Sequence, residues 1–90
     1  MIVFWVHAIQ RMFERAVSEE DVHHVLAAGE TIEDYRDDVP YLSRLILGWR
    51  GPRPLHVVVA CNVKADETIV ITVYEPSPDE WEDGFRRRKR

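Results

Sequence analysis

Leu55-His56-Val57-Val58-Val59-Ala60-Cys61-Asn62 and Glu67-Thr68-Ile69-Val70-Ile71-Thr72-Val73-Tyr74-Glu75 are the stretches that decide the fold. Both are rich in β-branched residues, and a short loop around Lys64, Ala65 and Asp66 joins them, so they read as two paired antiparallel strands. Toward the N-terminus, Gly51-Pro52-Arg53-Pro54 reads as a turn, because proline fixes φ and removes a backbone donor. Residues 41–49 before it form another strand, and residues 31–35 a short polar one suited to a sheet edge. Arg36, Asp37, Asp38 and Pro40 make the loop between these two. Upstream of Gly29 the period changes to that of a helix. Val22, Val25 and Leu26 form a buried face, Ser18 is the N-cap, Glu19, Glu20 and Asp21 sit where the helix dipole favours anions, and Gly29 is the stop. Before it, Ile9, Met12, Phe13 and Ala16 recur at helical spacing as a core stripe. The expectation is an α+β fold in which two N-terminal helices pack on one face of a four-stranded antiparallel sheet whose order follows the chain.

A chain of 90 residues is one domain. At this size only about 60–65% of the unfolded surface is buried on folding, so the stability margin is thin. The apolar share of 46% and charged share of 31% are those of an ordinary globular protein. No apolar run approaches the roughly 20 residues needed to span a bilayer, and Met1-Ile2-Val3-Phe4-Trp5-Val6-His7 lacks the basic flank and small-residue site of a signal peptide. The expectation is a cytoplasmic protein with no membrane contact. Cys61 is the single cysteine and sits in a valine-rich strand, so no disulfide framework exists and it reads as a core side chain. The formal net charge of −4 includes five positive charges at positions 86–90, which leaves the preceding 85 residues at −9. A binder of polyanions with such a body must rely on a local basic cluster or on the tail. Residues 1–85 are read as the domain, and Arg86, Arg87, Arg88, Lys89 and Arg90 as a disordered basic tail. Trp81 is expected to fold back and cap the sheet edge.

Strict alternation would put Leu45, Leu47 and Trp49 on one face with Leu55, Val57, Val59, Ile69, Ile71 and Val73, under the helices. The opposite, exposed face would then carry Arg44, Ile46, His56, Thr72 and Tyr74, with His56 and Tyr74 as cross-strand neighbours. On the first helix, His7, Arg11 and Arg15 follow at i, i+4 and i+8 and line one side, either as a solvated face or as a phosphate-binding strip. Cleaving RNA without a metal needs a base for the 2′-hydroxyl, an acid for the leaving oxygen and cations for the phosphorane. Histidine, tyrosine and arginine can fill those roles. His23 and His24 are adjacent on a helix and diverge by about 100°, so no metal site is expected from them, and no cofactor fingerprint is present.

His7-Ala8-Ile9-Gln10-Arg11-Met12-Phe13-Glu14-Arg15, Arg44-Leu45-Ile46-Leu47-Gly48, Pro54-Leu55-His56-Val57-Val58 and Val70-Ile71-Thr72-Val73-Tyr74-Glu75-Pro76, in this order, resemble the DUF4258 family of small bacterial and archaeal proteins. That family is distantly similar to RelE/BrnT-like ribonuclease toxins, and its members are often encoded beside small zinc-finger, helix-turn-helix antitoxin-like proteins. The resemblance implies a RelE-like fold and a metal-independent endoribonuclease toxin acting on mRNA. It also implies recurring polar positions at His7, Arg11, Arg44, His56 and Tyr74. The combined expectation is His7, His56 and Tyr74 as catalytic groups and Arg11, Arg15 and Arg44 as substrate-binding groups, with RNA and an antitoxin-like protein as partners. The alternative is a non-catalytic protein-interaction module using the same sheet face or an edge strand.

Overall fold

The computed structural model describes all residues except Asp38, a residue of the loop expected at positions 36–40. Its element order is β1 (Ile2–Phe4), α1 (Val6–Glu14), α2 (Glu19–Ala28), β2 (Glu30–Tyr35), β3 (Leu42–Arg50), β4 (Arg53–Asn62) and β5 (Glu67–Tyr74). The fold class is α+β, but the sheet has five strands in the order β1-β5-β4-β3-β2. This corrects the expected four-stranded antiparallel sheet. β2 to β5 form the antiparallel meander, and β1 adds a parallel strand with Ile2 opposite Thr68 and Phe4 opposite Val70. The physical reason lies at β5: without β1 its outer edge would present a row of unpaired N–H and C=O groups. The N-terminal apolar run closes that edge, and three residues of pairing are too few to leave a periodic signature. No described helix is long and apolar enough to cross a membrane.

The second helix forms as its sequence dictates. The Ser18 hydroxyl accepts from the Asp21 N–H at 3.0 Å, and the Ser18 N–H donates to the Asp21 carboxylate at 2.9 Å, a reciprocal capping box. α1 ends differently, with Val17 N–H donating to the Met12 carbonyl at 2.9 Å and Ala16 in the left-handed region at φ 54°. That is the Schellman arrangement with alanine where glycine is favoured.

The helix-side core gathers Ala8, Met12, Val17, Val22, Val25, Ile46, Leu55, Val57, Val59, Val70 and Val73. Ile9, Phe13 and Ala16, expected in the α1 stripe, are instead exposed, and Ala8 joins Met12 in the core. Val6 at 72%, Ile9 at 48% and Phe13 at 89% exposure leave an apolar strip on the outside of α1. The phase of β3 is also shifted by one residue from the expected register, since Ile46 pairs with Val57 and Gly48 with Leu55. Leu45 and Leu47 therefore share the other face with Val58 and His56. A bulge between Val58 and Val59 then sends Val70, in place of Ile71, to the helix side, and Ile71 lines a separate cavity with Trp5, Ser43 and Ala60. Gly48 is required where α2 crosses β3, because a Cβ there would lie 2.8 Å from both Val25 methyl groups.

Candidate functional site

The sheet face away from the helices is not open. Residues 76–90 return across it as a strap in which Glu82 N–H donates to the Arg87 carbonyl and Lys89 N–H to the Glu80 carbonyl, both at 2.8 Å. Trp81 does fold back, onto the face and not the edge. It is 3% exposed, and its ring meets His56 edge-on with centroids 4.4 Å apart. Arg88 lies 4.7 Å over the Trp81 ring and 3.8 Å from the Glu33 carboxylate, while Arg86 pairs with Glu30 at 2.7 Å. Tyr35 donates its hydroxyl proton to Glu33 beside this pair. The segment expected as a disordered tail thus supplies ordered contacts over the face that carries His56.

His56 is fully buried, so its polar atoms need partners. Nε2 lies 2.9 Å from the Phe85 carbonyl and Nδ1 lies 3.2 Å from the Tyr74 hydroxyl. A carbonyl can only accept, which assigns the proton to Nε2 and leaves Nδ1 as a bare acceptor for the Tyr74 O–H. Burial lowers the His56 pKa below its ordinary value, against the Phe85 carbonyl and the Glu33 charge, which act in the opposite direction. Burial likewise raises that of Tyr74, so at neutral pH the pair is a neutral phenol bonded to a neutral imidazole.

Tyr74 is only half-buried, and on its open side is a cleft of about 510 Å³ lined by Arg15, Arg53, Arg88 and Trp81 together with Glu75 and Glu80. Arg15 donates to the Val73 carbonyl at 2.7 Å. Arg53 is held on three sides, by Glu75 at 2.7 Å and by the carbonyls of Ala16 at 2.8 Å and Arg15 at 2.6 Å. Guanidinium groups anchored in this way are preorganised charges that need no reordering when an anion arrives.

The six residues singled out by sequence separate into three places. Tyr74 and Arg15 line the cleft, and His56 is buried behind Tyr74 and bonded to its hydroxyl. His7 and Arg11 are on α1 and do not line it, Arg11 being paired with Glu14 at 3.0 Å. Arg44 faces the helix side through its pairing with Val59. Arg53 and Arg88 fall outside the residues the sequence singles out: Arg53 lies in the segment that reads as a turn, and Arg88 in the segment that reads as a tail. The strand-like spacing of Arg53 to Leu55 and Val57 was the available signal for the first, and none existed for the second. Among the described residues, no three His, Cys, Asp or Glu side chains converge to hold a metal ion, and His23 and His24 line two different cavities.

Fold and site together define a small α+β domain with a buried histidine–tyrosine pair opening on an arginine-lined cleft. The family model described as "Domain of unknown function (DUF4258)" matches residues 4–75, and the chain belongs to that family. No protein of curated function and no solved structure matches it. The matched region contains Arg15, Arg53, His56 and Tyr74 and stops short of Trp81 and Arg88.

Proposed function

We propose that this chain is a metal-independent endoribonuclease acting on mRNA, the toxin of a toxin–antitoxin pair with an antitoxin-like partner. The observation that carries the proposal is the Tyr74 hydroxyl bonded to the bare Nδ1 of neutral His56 in a cleft that holds three guanidinium groups. In this reading the RNA 2′-hydroxyl gives its proton to the Tyr74 oxygen as Tyr74 passes its own to His56 Nδ1. The 2′-oxygen attacks the phosphorus, and the charge that develops on the phosphorane is met by Arg15, Arg53 and Arg88. The imidazolium formed on His56 is stabilised by the Phe85 carbonyl and Glu33. Its proton returns through Tyr74 to the departing 5′-oxygen, leaving a 2′,3′-cyclic phosphate. Tyr74 is the group that touches the substrate, and His56 acts through it.

This changes the roles expected from sequence. His7 and Arg11 take no part in the step, and Arg53 and Arg88 join Arg15 as phosphate binders. The local charge of the cleft, three arginines against two glutamates, is what reconciles an acidic body with a polyanionic substrate.

The test is a single-stranded RNA incubated with the full chain in chelator between pH 5 and 9, repeated with added magnesium. Tyr74→Phe should lower the rate by about 10²–10⁴-fold with the fold retained. Arg15→Ala should weaken both binding and rate. RNA left intact by the wild-type chain under every condition would end this proposal. The exposed strip of Val6, Ile9 and Phe13 would then favour the non-catalytic interaction module, tested by whether Phe13→Ser abolishes co-purification with the protein encoded beside it.

A further inference from the structure

Arg44 is the residue of the expected site that the sheet pairing sends to the face opposite His56. Its partner in the β3–β4 register is Val59, a helix-side core residue, so its side chain leaves the sheet on the face opposite His56 and Tyr74. There its Nε is buried and has no hydrogen-bond partner among the described residues. A buried donor left unpaired carries an uncompensated desolvation cost, greater when it belongs to a charged group, so such a group calls for a partner. Asp34 stands opposite Arg44 in the β2–β3 register, but no ion pair joins the two among the described residues.

Arg44 lines a cavity of about 360 Å³ between α2, β1 and β3. That size lies within the range of roughly 300–1,000 Å³ typical of small-molecule sites. Ile2, Leu26 and Ile46 supply apolar walls, and His23 and Thr68 are the other polar side chains at the site. A guanidinium presents its Nε–H and one Nη–H as a parallel fork, which matches the two oxygens of a carboxylate. One fork among aliphatic walls suits a monoanion with an apolar body, and no second arginine or lysine lines the cavity to balance a dianion. We propose that this cavity is a binding site for a small aliphatic monocarboxylic acid, its carboxylate seated on the Arg44 fork and its hydrocarbon part against Ile2, Leu26 and Ile46.

The test titrates the full chain with 4-methylpentanoate, with 4-methylpentanamide as the uncharged control, following the Arg44 Nε–H and backbone amide signals by NMR. The expected result is a saturable downfield shift of the Arg44 Nε–H with the acid and none with the amide. Arg44→Met should fold at least as stably as the wild type, since it removes an unpaired buried donor, and should bind the acid at least 10-fold more weakly. Arg44→Lys keeps the charge but loses the fork and should bind poorly as well. Absence of a saturable shift, equal binding of acid and amide, or binding retained in Arg44→Met would each overturn the site. Binding of inorganic phosphate in preference to the carboxylate would overturn its chemistry. None of these outcomes depends on RNA cleavage, because this cavity and the cleft at Tyr74 share no lining residue.

Discussion

Replacing Trp81 by alanine tests the central structural claim, that the strap seals the face carrying His56. Trp81 is 3% exposed and touches both the His56 ring and the Arg88 guanidinium, so its loss removes a large buried side chain and leaves His56 without its cover. Deletion of a buried tryptophan costs about 3–5 kcal/mol. A domain of this size is stable by only about 5–13 kcal/mol, and about 4–8 °C of Tm is lost per kcal/mol. The expected fall in Tm is therefore roughly 12–40 °C. Because residues 76–90 are terminal, the strap can also release as a unit, and His56 reports which happens. In the wild type its folded pKa is depressed, so the unfolded chain binds a proton at about pH 6.5 before the native chain does. Wild-type stability is thus full above that pH and declines as pH falls from about 6.5 toward the lower folded value. In Trp81→Ala the imidazole is rehydrated, its pKa returns toward about 6.5, and this part of the pH dependence disappears. Thermal unfolding by circular dichroism and the titration of the His56 ring by NMR measure both effects. A Tm change under about 5 °C with an unmoved His56 titration would show that Trp81 does not cover the histidine, and the account of the site would fall with it.

Four further outcomes are expected. The RNA cleavage rate should rise with pH as the buried His56 loses its proton below about pH 6.5 and stay level to pH 9, since the Tyr74 pKa is raised and the phenol remains protonated; a rate that falls between pH 6 and 9 would contradict the relay. Gly48→Ala should destabilise by about 1–3 kcal/mol in urea unfolding, because its Cβ would meet Val25 at 2.8 Å and push α2 off β3; a neutral result would refute the close approach. Ala16→Gly should stabilise by about 0.5–1 kcal/mol in the same assay, relief of the left-handed strain outweighing the added freedom of the unfolded chain. Asp21→Asn should lower stability at neutral pH by about 0.5–2 kcal/mol and abolish an acid-dependent loss. The hydrogen bond from the Ser18 backbone N–H depresses the Asp21 pKa, so its contribution is present above about pH 4 and is lost as pH falls through the folded value.

Much of the fold was legible because it is encoded locally. The capping box needs only Ser18 and Asp21 three residues apart, and the β-branched runs of β4 and β5 with a short loop between them admit one arrangement. His56 and Tyr74 were matched across the strands by alternation, but the loop register, with Asn62 opposite Glu67, would by itself set His56 opposite Val73, and the bulge at Val58 and Val59 brings Tyr74 there. Three features depend on contacts between distant parts of the chain. Leu45-Ile46-Leu47-Gly48 is buried on both sides of the sheet, so its apolar run carries no phase, and only the pairing with β4 decides that Ile46 faces the helices. The bulge at Val58 and Val59 reverses the alternation of β5 midway, exchanging Val70 for Ile71 in the core. The parallel β1 and the strap over His56 bring the first and last residues onto a sheet made by the middle of the chain, and nothing in their own spacing names that destination. Sequence alone therefore determined the two helices, the four strands of the antiparallel meander and that His56 and Tyr74 lie on neighbouring strands. Tertiary structure decided that His56 is buried and that Arg15, Arg53 and Arg88 gather beside Tyr74, because burial and convergence depend on which faces meet and local periodicity does not record that.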